Sequence, residues 1–347
     1  MASIQVSLLD YFSDSENFTL KEAEYVVQEV FDLNVKEPSI RARIYEGIEK
    51  GLFTKDSRGV YKTSKDGCEC LLINGDGRDL SMIPNNSIDA IITDHPYALS
   101  TNKGGNRDFT STYSCFQYNE KDFQEKFRVL KQGAFLVEFL PEESGGNWEY
   151  LTKIKNMAKE SGFLYYAKVS WIKGNQINNT GRKSSNCEDI LFLSKGKARE
   201  LRLDTKKNMK ELSEAGINAK GLSSEKIKNI LKDNNLPVHY MSGTNGMLPT
   251  SFVYEPPSKQ DRIHQSQKPK ELYSAIEKYV TKEFEWVLDQ FAGSCALGEA
   301  SLEINRNSIL FEIDSDMVDE VKKYYDKNSL TFELIEKSDD FDLEMDR

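Results

Sequence analysis

The residues best placed to do chemistry are Asp94-His95-Pro96-Tyr97, which follow the apolar run Ile88-Asp89-Ala90-Ile91-Ile92. That run reads as a buried strand. In open α/β sheets, ligands sit just beyond the carboxyl ends of the strands, so Asp94 and Tyr97 stand where a ligand would be. A carboxylate there accepts a hydrogen from an exocyclic amine. Pro96 stiffens the turn, and Tyr97 offers a flat face to stack on a base. The same four residues also suit an ordinary strand-to-loop turn, with Asp and Pro acting only as breakers.

A second constellation lies near the C-terminus. The strand Trp286-Val287-Leu288-Asp289 runs into Gln290-Phe291-Ala292-Gly293-Ser294-Cys295, then a helix, then the strand Ser308-Ile309-Leu310-Phe311 with Glu312 at its tip. Strand, glycine loop, helix, strand and acid make a nucleoside-binding half-site. The glycine lets backbone approach the ligand, and the acid takes ribose hydroxyls. The Gly-x-Gly-x-x-Gly spacing of a dinucleotide fold is absent. No metal site is expected either: the five cysteines are scattered, and Cys68-x-Cys70 lacks the gap of a zinc knuckle. Reduced thiols in a cytoplasm fit this pattern.

The elements that must position these residues follow from periodicity. Residues 1–66 read as a small helical unit: Leu20, Ala23, Val27, Val30 and Phe31 recur at helical spacing behind Thr19, a candidate cap. Ile40, Ile44 and Ile48 mark a second helix closed by Gly51, and Phe53 and Val60-Tyr61 flank a turn. Helix, helix, hairpin is the pattern of a winged helix-turn-helix. Arg41 and Arg43 would lie on its outer face, with Lys55 and Arg58 on the wing. DNA contact and a packing or dimerisation cap both remain open for it.

Residues 67–196 have strand–helix–strand rhythm: strands at Leu71–Ile73, Ile88–Ile92, Gly133–Phe139, Leu164–Trp171 and Asp189–Leu193, and helices near Asp79–Met82, Asp122–Leu130 and Trp148–Glu160. A long polar loop spans Ala98–Tyr118; such length usually marks function or mobility. In 197–260 two helices are expected, after Asp204 and after Ser223. Across 195–235, eleven basic residues, Lys206 and Lys207 among them, face six acidic ones. A locally basic insertion is a candidate polyanion contact, or simply a solvated helical face. Residues 261–330 return to α/β, and 331–347 read as an acidic tail.

The chain of 347 residues can bury a sizeable core, and its formal charge of −10 argues against a nonspecific polyanion coat without excluding a basic patch. No signal peptide is expected at the N-terminus, and the apolar runs are too short to span a bilayer.

Three motifs carry a specific resemblance. Asp94-His95-Pro96-Tyr97 resembles the catalytic Asp-Pro-Pro-Tyr motif of amino-methylating DNA methyltransferases. Asp289-Gln290-Phe291-Ala292-Gly293-Ser294 resembles their S-adenosylmethionine loop. His264-Gln265-Ser266-Gln267-Lys268-Pro269 resembles the His-Pro-Thr-Gln-Lys-Pro stretch leading into it. Catalytic motif first, insertion next and cofactor loop last is the circularly permuted order of the β group.

The resemblance implies an α/β fold with a Rossmann-like methyltransferase sheet and transfer of a methyl group to adenine N6 in DNA. Cytosine N4, RNA as substrate, or an inactive DNA-binding descendant are the alternatives. It further implies that Asp289, Phe291, Gly293 and Ser294 contact the cofactor's methionine part, Glu312 its ribose, Asp76 its adenine and Lys268 its carboxylate. Asp94, His95, Pro96 and Tyr97 would hold the target base, and the basic insertion with Lys206 and Lys207 would recognise the DNA; Arg41 and Arg43, outside the resemblance, are DNA contacts on the winged-helix reading alone. The implied setting is the cytoplasm of a bacterial or phage-infected cell; a homodimer and a restriction endonuclease partner stay open. Two departures stand out. His95 replaces proline, and Cys295 replaces the loop's second glycine, where a side chain would crowd the cofactor.

Overall fold

The computed structural model describes residues 4, 8, 11, 12, 17–31, 33, 35–49, 53–63, 68–97, 115–174, 178, 179, 184–258, 260–264, 266–328, 330 and 332–336. Most of the expected loop 98–118, Gln265, the stop at Gly51 and the tail beyond 336 lie outside these residues. The chain forms two compact units, 1–69 and 70–347.

In the first unit, β1 (Phe18–Thr19) leads into α1 (Leu20–Tyr25), which continues as a π turn over Val26–Val30. Thr19 does cap it: its hydroxyl accepts from the Glu22 N–H, while the Glu22 carboxylate takes the Thr19 N–H at 2.6 Å. Helix α2 (Glu37–Glu49) follows, then β2 (Phe53–Ser57) and β3 (Val60–Thr63). The three strands make one antiparallel sheet in the order β1-β3-β2. Phe18, Ala23, Val27, Ile40, Ile44, Phe53 and Tyr61 form the buried side of both helices and the sheet.

The second unit contains β4 (Cys70–Asn74), β5 (Ile88–Thr93), α3 (Glu120–Val129), β6 (Leu130–Pro141), α4 (Trp148–Glu160) and β7 (Phe163–Ile172). A two-residue ladder, β8 (Asn178–Asn179) with β9 (Ser184–Ser185), precedes β10 (Cys187–Lys195). Then come β11 (Arg202–Leu203), α5 (Thr205–Glu214), α6 (Ser224–Asp233), β12 (Tyr240–Met241) and β13 (Ser251–Val253). The last third supplies α7 (Lys270–Val280), β14 (Trp286–Asp289), α8 (Ala296–Glu303), β15 (Asn307–Glu312), α9 (Ser315–Lys327) and β16 (Glu333–Glu336).

Nine strands form one sheet in the order β13-β7-β10-β6-β5-β14-β15-β4-β16. Its described pairings are parallel except those of β10, which is antiparallel to both neighbours. Alternation along the strands splits the core into two layers. Ala90, Ile92, Phe135, Val137 and Val287 pack with α7, α8 and α9. Ile88, Ile91, Ala134, Leu136 and Leu288 pack with α3 and α4 on the other face. The expected α/β class is therefore what the chain adopts, and strands from its last third insert between β5 and β4.

Several expectations need correction. Asp79–Met82 form turns rather than a helix; the Asp76 carboxylate accepts from the Arg78 N–H and that of Asp79 from the Ser81 N–H, local bonds that compete with helical ones. Within 197–260, Ser251–Val253 joins the main sheet beside β7. The two helices before it close their own small core of Leu212, Ala219, Ile227 and Leu231. The expected acidic tail begins with an edge strand, β16, paired with β4. Helix α9, capped by Asp314 and buried through Val318, Val321 and Tyr325, was not anticipated.

Candidate functional site

Strands β5 and β14 are parallel neighbours, with Leu288 opposite Ile91. Their carboxyl ends are tied together: the buried Thr93 hydroxyl donates to Asp289 Oδ1 at 2.8 Å. Asp94 and Asp289 therefore emerge at the carboxyl ends of two neighbouring central strands, the position at which open α/β sheets bind ligands.

Asp94 is held by two donors. Lys268 Nζ lies 2.5 Å from its Oδ2, and the Tyr97 hydroxyl donates to its Oδ1 at 3.1 Å. Lys268 also reaches Glu188 Oε2 at 3.1 Å, and Lys173 bonds the other oxygen of Glu188 at 2.5 Å. Asp94, Lys268, Glu188 and Lys173 thus form an alternating ladder of charges. The Lys268 ammonium lies 4.7 Å from the centre of the Phe139 ring. Burial pushes the Asp94 carboxyl upward against the pull of Lys268. Burial opposes the Lys268 ammonium too, but Asp94 and Glu188 outweigh it and hold its pKa above the ordinary lysine value. Glu188 is the reverse case: desolvation is outweighed by Lys268 and Lys173, so its carboxyl is lowered. Lys268, assigned to the cofactor carboxylate by resemblance, here meets the carboxylate of the catalytic motif. Glu188 was not singled out from the sequence.

On the cofactor side, Asp289 is buried, accepts the Phe291 N–H at 3.1 Å, and is raised by desolvation to about 7. Glu312 lies across the loop and accepts the Gly293 N–H at 2.8 Å and the Asp314 N–H at 2.9 Å. Burial raises its carboxyl as well. Phe291 packs 5.4 Å from Phe116, and Ser294 is buried. Gly293 takes a left-handed φ of +51° with open space where a Cβ would stand. Two carboxylates, an aromatic ring and an open glycine suit a ligand with ribose hydroxyls and a cationic amine, so the residues fit S-adenosylmethionine. Asp76 is exposed on the neighbouring loop after β4, beside a polar cleft of about 550 Å³ that also includes Arg78 and Asn119.

Cys295 has φ +56°, a left-handed conformation that explains why glycine suits the position. Its side chain does not occupy the space over Gly293. It is 1% exposed within the core cluster that contains Cys70 and Tyr325, and the Tyr325 hydroxyl donates to its carbonyl at 2.8 Å.

His95 is buried, with Nε2 2.7 Å from the Tyr150 hydroxyl. Beneath it lies a fully buried ion pair, Lys126 with Glu138, and Lys126 also donates to the Tyr118 hydroxyl at 2.7 Å. Burial and the Lys126 charge push the His95 pKa well below the usual histidine value, so its imidazole is neutral. Pro96 accepts at its carbonyl from the Phe116 N–H at 3.0 Å.

Of the residues expected to contact DNA, two are on α2 and two on α5. Arg41 is exposed on α2 and paired with Glu37 at 2.5 Å; Arg43 is half-buried on the same helix. Lys206 and Lys207 are exposed in the first turn of α5. Two members of the basic set are structural instead. Lys195 caps the Leu130 carbonyl at 2.8 Å, and Arg199 pairs with Asp89 and Glu285. Among the described residues no group of three or more His, Cys, Asp or Glu side chains could hold a metal, and no helix is long and apolar enough to cross a membrane.

A family model described as DNA methylase, for N6 and N4 methyltransferases, matches residues 88–323. The chain is 24% identical over 260 residues to type II methyltransferase M.HpaI of Haemophilus parainfluenzae, covering 74% of each. Among solved structures it is similar to the M1.HpyAVI–SAM complex, with 19% identity and a TM-score of 0.45 over 74% of this chain and 99% of that one. It is similar too to the cytosine-N4-specific PvuII DNA methyltransferase, with 15% identity and a TM-score of 0.48 over 77% and 95%.

Proposed function

Because the chain belongs to the DNA methylase family that methylates exocyclic amino nitrogens, we propose that it is a site-specific adenine-N6 methyltransferase. The methyl donor is S-adenosylmethionine, which supplies a methyl group on a cationic sulfur open to in-line attack. The observation that carries the reading is that Asp94 and Asp289 stand at the carboxyl ends of two neighbouring parallel strands, tied together by the hydrogen bond from Thr93 to Asp289.

An aromatic amine is a poor nucleophile because its lone pair is delocalised into the ring. The Asp94 carboxylate accepts one amine hydrogen and the His95 backbone carbonyl the other. That favours a pyramidal nitrogen whose lone pair points at the donor, so catalysis is positioning plus electrostatics. Lys268 helps keep Asp94 ionised for this work. Tyr97 stacks on the extruded base, whose unstacking costs roughly a few kcal/mol. Asp289, Phe291, Gly293, Ser294 and Glu312 hold the donor, and Asp76 lies at its adenine end. The family covers adenine N6 and cytosine N4; an aspartate rather than a serine at position 94 weighs towards adenine.

Residues 1–66 act as a winged helix, its β1-β3-β2 sheet behind two helices supporting this, and Arg41 and Arg43 face DNA. The insertion reads the target through α5, with Lys206 and Lys207 on the phosphates. The competing reading is a non-catalytic DNA-binding protein on the same fold, motivated by His95 in place of the motif's proline. Calorimetric titration of S-adenosylmethionine discriminates them. Micromolar affinity, about −8 kcal/mol, supports the enzyme; absence of binding with and without DNA supports its rival.

A further inference from the structure

We propose that the Tyr150 hydroxyl is a positioning group for the catalytic loop, gripping it through His95 and supplying by hydrogen bonds the stiffness that a proline at position 95 would supply covalently. This rests on the methyltransferase reading above and adds a residue to that site.

Tyr150 sits on α4, away from the three recognised motifs, yet its one oxygen serves both strands of chain at the catalytic loop. It lies 2.7 Å from His95 Nε2 and accepts the Tyr118 backbone N–H at 3.1 Å. His95 and Tyr118 belong to the two described segments that meet here, where Phe116 donates its N–H to the Pro96 carbonyl at 3.0 Å. One hydroxyl therefore holds both segments.

The proton arrangement follows from counting donors. Tyr150 already accepts from Tyr118, and its own hydrogen needs an acceptor in a buried setting. The neutral imidazole offers its Nε2 lone pair. The ring proton is then on Nδ1, which faces Glu138 Oε2 at 4.0 Å rather than a second hydrogen-bond partner among the described residues. The imidazole is packed on both sides: the Tyr118 ring lies 4.0 Å away and the Tyr97 ring meets it edge-on at 4.8 Å. Locking His95 thus locks the ring proposed to stack on the base. An apolar residue at 95 would strand the buried Tyr150 hydrogen. The histidine and its tyrosine make sense as a pair.

The test is a double-mutant cycle on the full-length protein, with saturating donor and DNA. Tyr150→Phe is expected to lower kcat by about tenfold or more, with KM for DNA and donor affinity nearly unchanged, as for an interaction that sets the reacting geometry. His95→Pro is expected to restore stiffness by the covalent route, so that Tyr150→Phe costs almost nothing in the His95→Pro background. Equal losses of kcat in both backgrounds, or a loss confined to KM, would overturn the proposal. Should Tyr150→Phe alone fail to fold, His95→Pro is compared with His95→Pro/Tyr150→Phe: equal kcat supports the grip, unequal kcat overturns it. Nitrogen-15 NMR of the imidazoles gives a readout independent of turnover. His95 should carry its proton on Nδ1, with Nε2 shifting in Tyr150→Phe; the opposite tautomer in an active enzyme overturns the proposal. A wild type with this tautomer that methylates no DNA overturns the methyltransferase reading, and the positioning role with it, while leaving the hydrogen bond intact.

Discussion

The Lys268 ammonium and the Asp94 carboxylate meet at 2.5 Å although 174 positions separate them in the chain. The pairing joins the stretch that leads into the cofactor loop to the residue proposed to receive the target amine. It gives Lys268 a task beyond the one its motif implies: holding a desolvated carboxylate in its charged form.

Removing that cation has a signed consequence. Burial raises the Asp94 carboxyl and Lys268 opposes the rise. In Lys268→Met the opposing charge is gone, so the Asp94 carboxyl is pushed further upward by its burial and by Glu188. Since the carboxylate is the active form, the acid limb of the kcat profile should move to higher pH at saturating donor, and activity at pH 6 should fall more than at pH 9. An unshifted limb would show that Lys268 does not govern Asp94.

Gly77 should be irreplaceable. A Cβ there would stand 1.8 Å from the Gln290 carbonyl oxygen, where the loop after β4 crosses the loop after β14. The Gln290 side chain also donates to the Gly77 carbonyl at 2.6 Å. Backbone clashes of this kind cannot be relieved by a rotamer change, and Gly77→Ala should cost at least about 1–3 kcal/mol. Thermal unfolding checks the loss, and donor titration should show weakened binding because Asp289 and Phe291 flank Gln290.

Much of the site is legible in the sequence because it lies where apolar strands stop at breakers. Asp94 after Ile88–Ile92 and Glu312 after Ser308–Phe311 need no long-range information. The pairing of Lys268 with Asp94 and Glu188 does, since periodicity says nothing about which strand ends meet. Glu138 also carries a signal in the sequence: a lone acid between Leu136 and Leu140, on a face otherwise apolar, calls for a buried cation, which Lys126 provides. Charge counting misleads at Lys195 and Arg199, whose charges are spent inside the fold. Helix α9 also left a trace, with Val318, Val321 and Tyr325 at helical spacing behind Asp314.

Glu277 predicts a pH-dependent stability. It is fully buried between α7 and α8; Ser301 donates to Oε2 at 3.0 Å, and Oε1 has no hydrogen-bond partner among the described residues. Desolvation raises its carboxyl to about 8, far above the ordinary carboxylate range. A raised acid favours the folded state fully below the unfolded pKa, and that favour is lost as pH rises through the folded one. A difference of one pH unit between the folded and unfolded pKa is worth about 1.4 kcal/mol. Glu277→Gln should therefore raise the melting temperature more at pH 9 than at pH 5; equal gains at both would contradict the assignment.

The basic insertion should act through phosphates. Lys206→Ala/Lys207→Ala should weaken DNA binding at low salt and flatten the dependence of log affinity on log salt by up to about 0.9 for each phosphate no longer neutralised. Donor affinity should not change. An unaltered salt slope would remove both lysines from the interface.

The most direct test of the central claim is to identify the methylated base. Unmodified genomic DNA is incubated with the protein and S-adenosylmethionine, digested to nucleosides and analysed by mass spectrometry, with Asp94→Ala alongside. N6-methyladenine with the wild type, none with Asp94→Ala, and unchanged donor binding in the variant are the predicted result. N4-methylcytosine would contradict the adenine assignment, and no modified base from a protein that binds the donor would contradict the proposed activity on DNA.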